Sequence, residues 1–245
     1  MPAFRLDHAD RPVADVPALP SGCHSCTART HCLITPWLAA ELISPGTSSL
    51  PSQVVSRGRH IFREGDAAAG IYAVQSGMIK SYITDHNGRE HVVTFRGRGD
   101  LLGLDGLAEG VQTSSAVALE TVAVCTLSIH RLEKLERRFP GWLCKLLAWE
   151  LVRGRTTLQI LGHKDARSRL AAFLLDLFRR SRVRGESVQG FNLSMSQQDI
   201  GNHLGLAVET VCRVLSSLRR SRLIDIDHHR LLIRDIDGLR GLAFN

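Results

Sequence analysis

From Val54 to Ile129 the chain alternates short β-prone runs with glycine turns, and no other feature limits its fold so much. The runs are HIF, GIYAV, MIKSYI, EHVVTF and TVAVCTLSI, and the turns fall at Gly65-Asp66, Ser76-Gly77, Asn87-Gly88 and Gly99-Asp100. Short runs closed by such turns pair with their neighbours as antiparallel strands, so this stretch predicts a barrel or roll. At Pro140 the period changes. Leu147, Leu151, Gly154, Leu158 and Leu161 recur at alternating intervals of four and three, which is the a/d seam of a helix. Such a seam can pack on its own domain or on a second copy of the chain.

A helix is expected next from about Ala166 to Arg182, followed by a loop containing Gly185 and Gly190. Beyond it stands SMSQQDIGNHLGLAVETVCRVLSSLRRSRLIDIDHHRLLIRD, from Ser194 onward. Ser196 suits the N-cap of a short helix ending near Leu204, Gly205 suits the turn, and a second helix is expected from about Val208 to Arg220. Ile200, Leu204, Val211 and Leu215 would pack the two helices together, with the small Gly201 where they approach. Glu209, Cys212 and Arg213 then fall on a free polar face able to enter a major groove. Ile224 and Ile226, a turn at His228-His229-Arg230, and Leu231 and Ile233 predict an appended hairpin. The unit reads as a winged helix-turn-helix, the plain alternative being a helical hairpin with no role on DNA.

Charge agrees with the first reading without proving it. Of 31 basic and 24 acidic residues, 17 and 15 lie before His163, leaving 14 and 9 for the last third, so the excess behind the net charge of +7 sits beside the helix-turn-helix. An anionic partner such as nucleic acid suits that bias, as does a solvated surface. A length of 245 residues with 44% hydrophobic content allows one or two cores. No apolar run approaches the roughly 20 residues that span a bilayer, and MPAFRLDHADRPVADVPALP lacks the basic start and apolar stretch of a signal peptide, so the expected location is the cytoplasm with no membrane partner.

Three of the six cysteines fall within GCHSCTARTHC, as Cys23, Cys26 and Cys32. In a reducing compartment, clustered thiols bind metal or do redox chemistry more often than they form structural disulfides. C-x2-C-x5-C is short enough for one loop to offer three thiolates to one inorganic centre. Cys125 shares a strand face with Ala123, Leu127 and Ile129 and by periodicity alone is a core thiol. His24 and His31 could replace a thiolate in a zinc site but read as bystanders, and Cys144 reads as a packing residue. Four thiolates suit a [4Fe-4S] cluster and equally suit zinc.

A β-roll, a long helix and a winged helix-turn-helix, in that order, resemble the cyclic AMP receptor and FNR family of bacterial transcription regulators. SGMIKSY, GDLLGLDG, RLAAF and DIGNHLGLAVETVCRVL are similar to the FNR branch, the oxygen-responsive fumarate and nitrate reduction regulators. The resemblance implies that Cys125 is the fourth ligand beside Cys23, Cys26 and Cys32, holding a [4Fe-4S] cluster, and that Leu147, Leu151, Gly154, Leu158 and Leu161 form a homodimer interface. It implies a Glu-x-x-Ser-Arg reading motif matched here by Glu209, Cys212 and Arg213, in which Cys212 departs from the pattern. Members that bind a cyclic nucleotide carry a glutamate and an arginine where this chain has Leu104 and Ser114. Without the arginine the phosphate loses its bidentate contact, so no cyclic nucleotide is expected.

The expectation is an α+β chain: a cysteine-rich N-terminal segment over residues 1–52, a β-roll sensor domain over 53–139, a dimerisation helix over 140–165 and a winged helix-turn-helix over 166–245. Its expected function is not enzymatic. It is an oxygen- or redox-sensing regulator that binds TTGAT-like inverted repeats as a dimer and contacts RNA polymerase through exposed β-roll loops, including Asp85 to Arg89. A zinc-stabilised or thiol-redox regulator on the same scaffold is the alternative.

Overall fold

A computed structural model of the chain describes residues 23, 26–35, 50–186 and 189–244. The apolar segment from Trp37 to Ile43 and the side chain of His24 lie outside them. Eight strands form the roll: β1 (Ser52–Val55), β2 (His60–Phe62), β3 (Gly70–Ser76), β4 (Ile79–Thr84), β5 (Glu90–Arg96), β6 (Leu101–Leu102), β7 (Ser115–Ala118) and β8 (Val122–Ser128). They make two four-stranded antiparallel sheets, ordered β1-β8-β3-β6 and β2-β7-β4-β5. Phe62, Val74, Ile79, Leu102, Ala116, Ala118, Val122 and Val124 fill the space between them. β1, β6, β7 and a one-turn helix, α1 (Gly106–Glu109), were not signalled by the sequence pattern, because two- to four-residue elements leave too little periodicity to read.

The strand run ends earlier than its alternation suggests. Ile129 opens helix α2 (Ile129–Arg138), whose Leu132 and Leu135 are buried under the first sheet. The break at Phe139-Pro140-Gly141, with Gly141 at φ 82°, separates it from the long helix α3 (Trp142–Leu161). α3 turns Trp142 and Leu146 into its own domain. Its other face is bare: Leu147, Leu151 and Leu158 are 42%, 75% and 71% exposed, and Gly154 is exposed too. Leu161 is half-buried against the core below. Cys144 corrects the expectation of packing, since it is exposed one turn before Leu147, on the face away from Trp142 and Leu146.

Helix α4 (Ala166–Val183) begins on Asp165, whose carboxylate accepts from the backbone N–H of Arg167 and Ser168. It leads to β9 (Gly190–Asn192), helices α5 (Gln197–Leu204) and α6 (Val208–Arg220), strands β10 (Ile224–Asp227) and β11 (Arg230–Ile233), and α7 (Ile236–Phe244). β10, β11 and β9 form a three-stranded sheet, so the expected hairpin gains a third strand, and its turn is at His228-His229. One core joins this module to the second sheet of the roll through Tyr82, Val92, Phe95, Phe173, Leu177, Ile200 and Leu204.

Candidate metal centre and nucleic-acid interface

The cysteine loop is a series of backbone turns anchored by two apolar side chains. Cys26 N–H donates to the Cys23 carbonyl at 3.3 Å, Cys32 N–H to Ala28 at 2.7 Å and Thr35 N–H to Cys32 at 3.2 Å, while Ala28 and Ile34 are each 1% exposed. Cys23, Cys26 and Cys32 are half-buried. Cys125 waits below on β8, 6% exposed, in the same apolar cluster as Ile34, Leu50 and Leu127. Its register partners are Ser52 on β1 and Ala73 on β3. Gln75 reaches across the sheet with its Nε2 2.6 Å from Cys125 Sγ, and its Oε1 accepts from Ser52 Oγ at 3.0 Å.

Electrostatics ties the four thiols together. Burial pushes Cys125 up to about 12, and the charges of Cys23, Cys26 and Cys32 push in the same direction against the Gln75 hydrogen bond. Cys23 is pushed up to about 11 by burial and by Cys32 and Cys26, with Arg29 opposing. Burial likewise raises Cys32, against hydrogen bonds from Ile34 and Thr35. Four thiolates in such a place repel one another, and a positively charged inorganic centre relieves both burial and repulsion while releasing protons. Among the described residues no three His, Cys, Asp or Glu side chains stand ready to hold a single metal ion. Cys32 packs against the apolar cluster that contains Cys125, and four sulfur donors suit an iron-sulfur cluster or zinc.

The loop presses on a turn of the roll. Gly99, at φ 86°, lies so close to His31 that an added Cβ would stand 2.7 Å from the His31 carbonyl oxygen. Leu33 N–H donates to the Gly99 carbonyl at 3.4 Å. The next residue, Asp100, is buried, accepts from Gly97 N–H at 3.0 Å and pairs with Arg153 on α3 at 2.6 Å. Arg184, just past α4, stands 3.8 Å from its second oxygen. Arg96 forms a bidentate pair with Glu150 beside it. His31 itself is held below the ordinary histidine range by burial and by Arg98 and Arg184.

The helix-turn-helix forms for local reasons. Ser196 and Asp199 make a reciprocal capping box, with Asp199 N–H on Ser196 Oγ at 3.0 Å and Ser196 N–H on Asp199 Oδ2 at 3.1 Å. Gly205 takes φ 64° at the end of α5. Gly201 is needed where the helices approach: a built Cβ would stand 2.6 Å from the Leu206 carbonyl of the turn and 3.7 Å from the Val211 side chain of the second helix. Ile200, Leu204, Val211 and Leu215 are all buried. α6 leaves Glu209, Cys212 and Arg213 exposed in a shallow groove completed by Gln197, Val208, Ser216 and Arg220. Arg213 Nη2 donates to Thr210 Oγ1 at 3.2 Å. Ser216 and Arg220 were readable from helical spacing, being three and four residues beyond Arg213 and Ser216 on the same face; Gln197 comes from the other helix and was not.

Two contacts seat this module on the roll. Lys80 Nζ bridges Glu90 at 2.6 Å and Asp199 at 2.8 Å. Asp199 is held low by Lys80 and Ser196 in spite of its burial. His203 Nδ1 bonds the Val92 carbonyl at 2.9 Å, its ring against Phe95 and Phe173, and burial pulls its pKa down. In the roll, Leu104 is half-buried, and buried Ser114 lies 3.4 Å from Asp105. No described helix is long and apolar enough to cross a membrane.

Residues 52–139 match the model of the cyclic nucleotide-binding domain and residues 168–242 that of the Crp-like helix-turn-helix domain. Electron transport regulator A of Shewanella oneidensis is 34% identical over 226 residues, 91% of this chain and 90% of that protein. The fumarate and nitrate reduction regulatory protein of Escherichia coli is 33% identical over 224 residues, 90% of each. FixK2 of Bradyrhizobium japonicum superposes with a TM-score of 0.73 at 28% identity, over 80% of this chain and 98% of that one. These relatives are regulators rather than enzymes, and the helix-turn-helix is a DNA-binding unit of their kind. The chain belongs to the FNR branch of the CRP/FNR family of transcription regulators.

Proposed function

We propose that this regulator senses oxygen through a [4Fe-4S] cluster held by Cys23, Cys26, Cys32 and Cys125, and that it binds TTGAT-like inverted repeats as a homodimer. The observation that carries the reading is the buried thiol of Cys125, on a strand about a hundred residues from the loop cysteines yet in one apolar cluster with Ile34 and Cys32 of that loop. An all-sulfur donor set suits iron-sulfur chemistry. When bound, the cluster would supply a redox-labile group that oxygen can dismantle.

The chain's own residues offer a route from such a centre to DNA. The loop bears on Gly99, Asp100 links that turn to Arg153 on the long helix, and the bare seam of Leu147, Leu151, Gly154 and Leu158 would receive a second copy. Seating or releasing the loop would then bias that helix, and a coupling of about 1–3 kcal/mol is enough to shift a two-state equilibrium. In a dimer the two reading helices would meet half-sites roughly 34 Å apart. Leu104 and Ser114 leave the roll without the acid and the arginine that would hold a cyclic nucleotide, so its input on this reading is the cysteine loop. Exposed loops such as Asp85 to Arg89, ordered by Asp85 accepting from Asn87 and Arg89 N–H, are offered to RNA polymerase.

The test is binding of anaerobically purified protein to a duplex with an inverted TTGAT repeat, before and after air. The expected result is tight binding that falls sharply on exposure. Equal binding in both states would contradict oxygen sensing.

A further inference from the structure

A polar side chain that reaches the Cys125 sulfur comes from β3 and has no assigned role. β3 and β8 run in register through Ala73 and Cys125 and through Val74 and Val124, and resume at Ser76 and Ala123. Gln75 is the extra residue of that bulge. A bulge leaves its residue out of the ladder and re-aims its side chain. Here the re-aimed amide lies over the sheet face shared by Ala73, Cys125 and Ser52. Its Nε2 is 2.6 Å from Cys125 Sγ and its Oε1 takes the Ser52 hydroxyl at 3.0 Å. The Ser52 hydroxyl donates to the amide oxygen, and with Oε1 so engaged the NH2 group faces sulfur. A thiolate has no proton and can only accept, so this is the orientation a ligating Cys125 needs.

We propose that Gln75 is a positioning residue for the iron-sulfur centre, donating an N–H to the Cys125 thiolate and thereby raising the reduction potential of the cluster and slowing its loss to oxygen. The inference rests on the cluster reading above. Hydrogen bonds to the sulfurs are among the terms that set iron-sulfur potentials, because they hold negative charge on sulfur that would otherwise be donated to iron. A cluster held by Cys125 with this hydrogen bond would give up an electron to dioxygen less readily, superoxide being the reduced product. The bulge and Ser52 matter for the same reason: they fix the amide before the cluster arrives, so little ordering is required on binding.

The experiment compares anaerobic wild-type protein with Gln75→Leu, Gln75→Glu and Ser52→Ala. Iron and sulfide content, the midpoint in a mediated potentiometric titration, and the half-time of the visible band in air-saturated buffer are measured for each. Gln75→Leu, which keeps the bulk and loses the donor, should shift the midpoint to lower potential and shorten the half-time several-fold. Gln75→Glu, an acceptor carrying a negative charge, should shift it further. Ser52→Ala, which keeps the four cysteines and removes the hydroxyl that holds the amide oxygen, should shift it the same way by less, and it carries the measurement if a Gln75 variant fails to fold. Cluster-loaded variants with the wild-type midpoint and half-time would overturn the role of Gln75 while leaving the cluster reading intact. Wild-type protein without iron and sulfide would overturn both.

Discussion

Asp100 Oδ1 and Arg153 Nη2 stand 2.6 Å apart, joining the turn beneath the cysteine loop to the long helix. The carboxylate is 5% exposed and also faces Arg184. Burial alone would raise its pKa, but Arg153, Arg184, Arg96 and Arg180 hold it well below the usual carboxylate range. Removing one partner of a buried pair typically costs about 3–5 kcal/mol, because the other charge stays buried and unpaired. Asp100→Asn should therefore lower the urea midpoint substantially at neutral pH. A carboxylate whose pKa is depressed by folding contributes stability above its unfolded value of about 3.9, and that contribution is lost as pH falls toward its folded value. Metal-free wild-type protein should lose more stability than Asp100→Asn on acidification through about pH 4. Parallel losses would mean that the pair contributes little.

The ligand set is tested by colour. Replacing Cys23, Cys26, Cys32 or Cys125 by Ser should each abolish the brown colour of anaerobic protein, while Cys144→Ser should preserve it. Retention of full iron after Cys125→Ser would remove the strand thiol from the centre.

The bare helix face should bury itself in a second copy. Leu151→Asp or Leu158→Asp would place an unpaired carboxylate in that seam and should yield monomers in anaerobic sedimentation, with DNA affinity falling alongside. Cys144, one turn before Leu147, supplies a native probe: in a Cys212→Ser background a short bis-maleimide should link the anaerobic dimer through Cys144. Leucine-to-aspartate variants that remain dimeric would place the interface elsewhere.

At the DNA interface, Arg213 can fork onto guanine O6 and N7 and Glu209 can accept from a cytosine N4 amine. Arg213→Ala should cost about 1–3 kcal/mol and relax preference at that guanine. Cys212 brings a weak donor that can pack against a thymine methyl, so Cys212→Ser should leave the guanine preference intact and sharpen only the outer base, an unchanged outer-base profile marking Cys212 as a packing residue. A panel of half-site mutants reads both. Unchanged guanine preference after Arg213→Ala would show that the reading helix is misassigned.

What the sequence disclosed follows the range of the interactions involved. The helix-turn-helix was legible because its determinants are local: the Ser196 cap, the left-handed Gly205, and the spacing of Ile200, Leu204, Val211 and Leu215. Of the glycine turns, only Asn87-Gly88 closes a hairpin, β4 with β5, whereas those at Gly65, Gly77 and Gly99 carry the chain from one sheet to the other, so the turns were legible but the pairing was not. Helix α2 was hidden because Ile129 continues the strand alternation of β8, although Leu132 and Leu135 repeat at helical spacing. Cys144 was misjudged because composition assigns cysteine to cores, whereas α3 gives its inward face to Trp142 and Leu146. Asp100 read only as a turn residue. Its burial under Arg153 and Arg184, and the reach of Gln75 to Cys125, depend on chain segments that no local window brings together.

The most direct measurement is iron, acid-labile sulfide and zinc in protein purified without air. The account predicts about four iron and four sulfide per chain and a brown solution, as a [4Fe-4S] centre requires. A colourless protein with one zinc per chain would contradict it and favour the zinc-stabilised alternative.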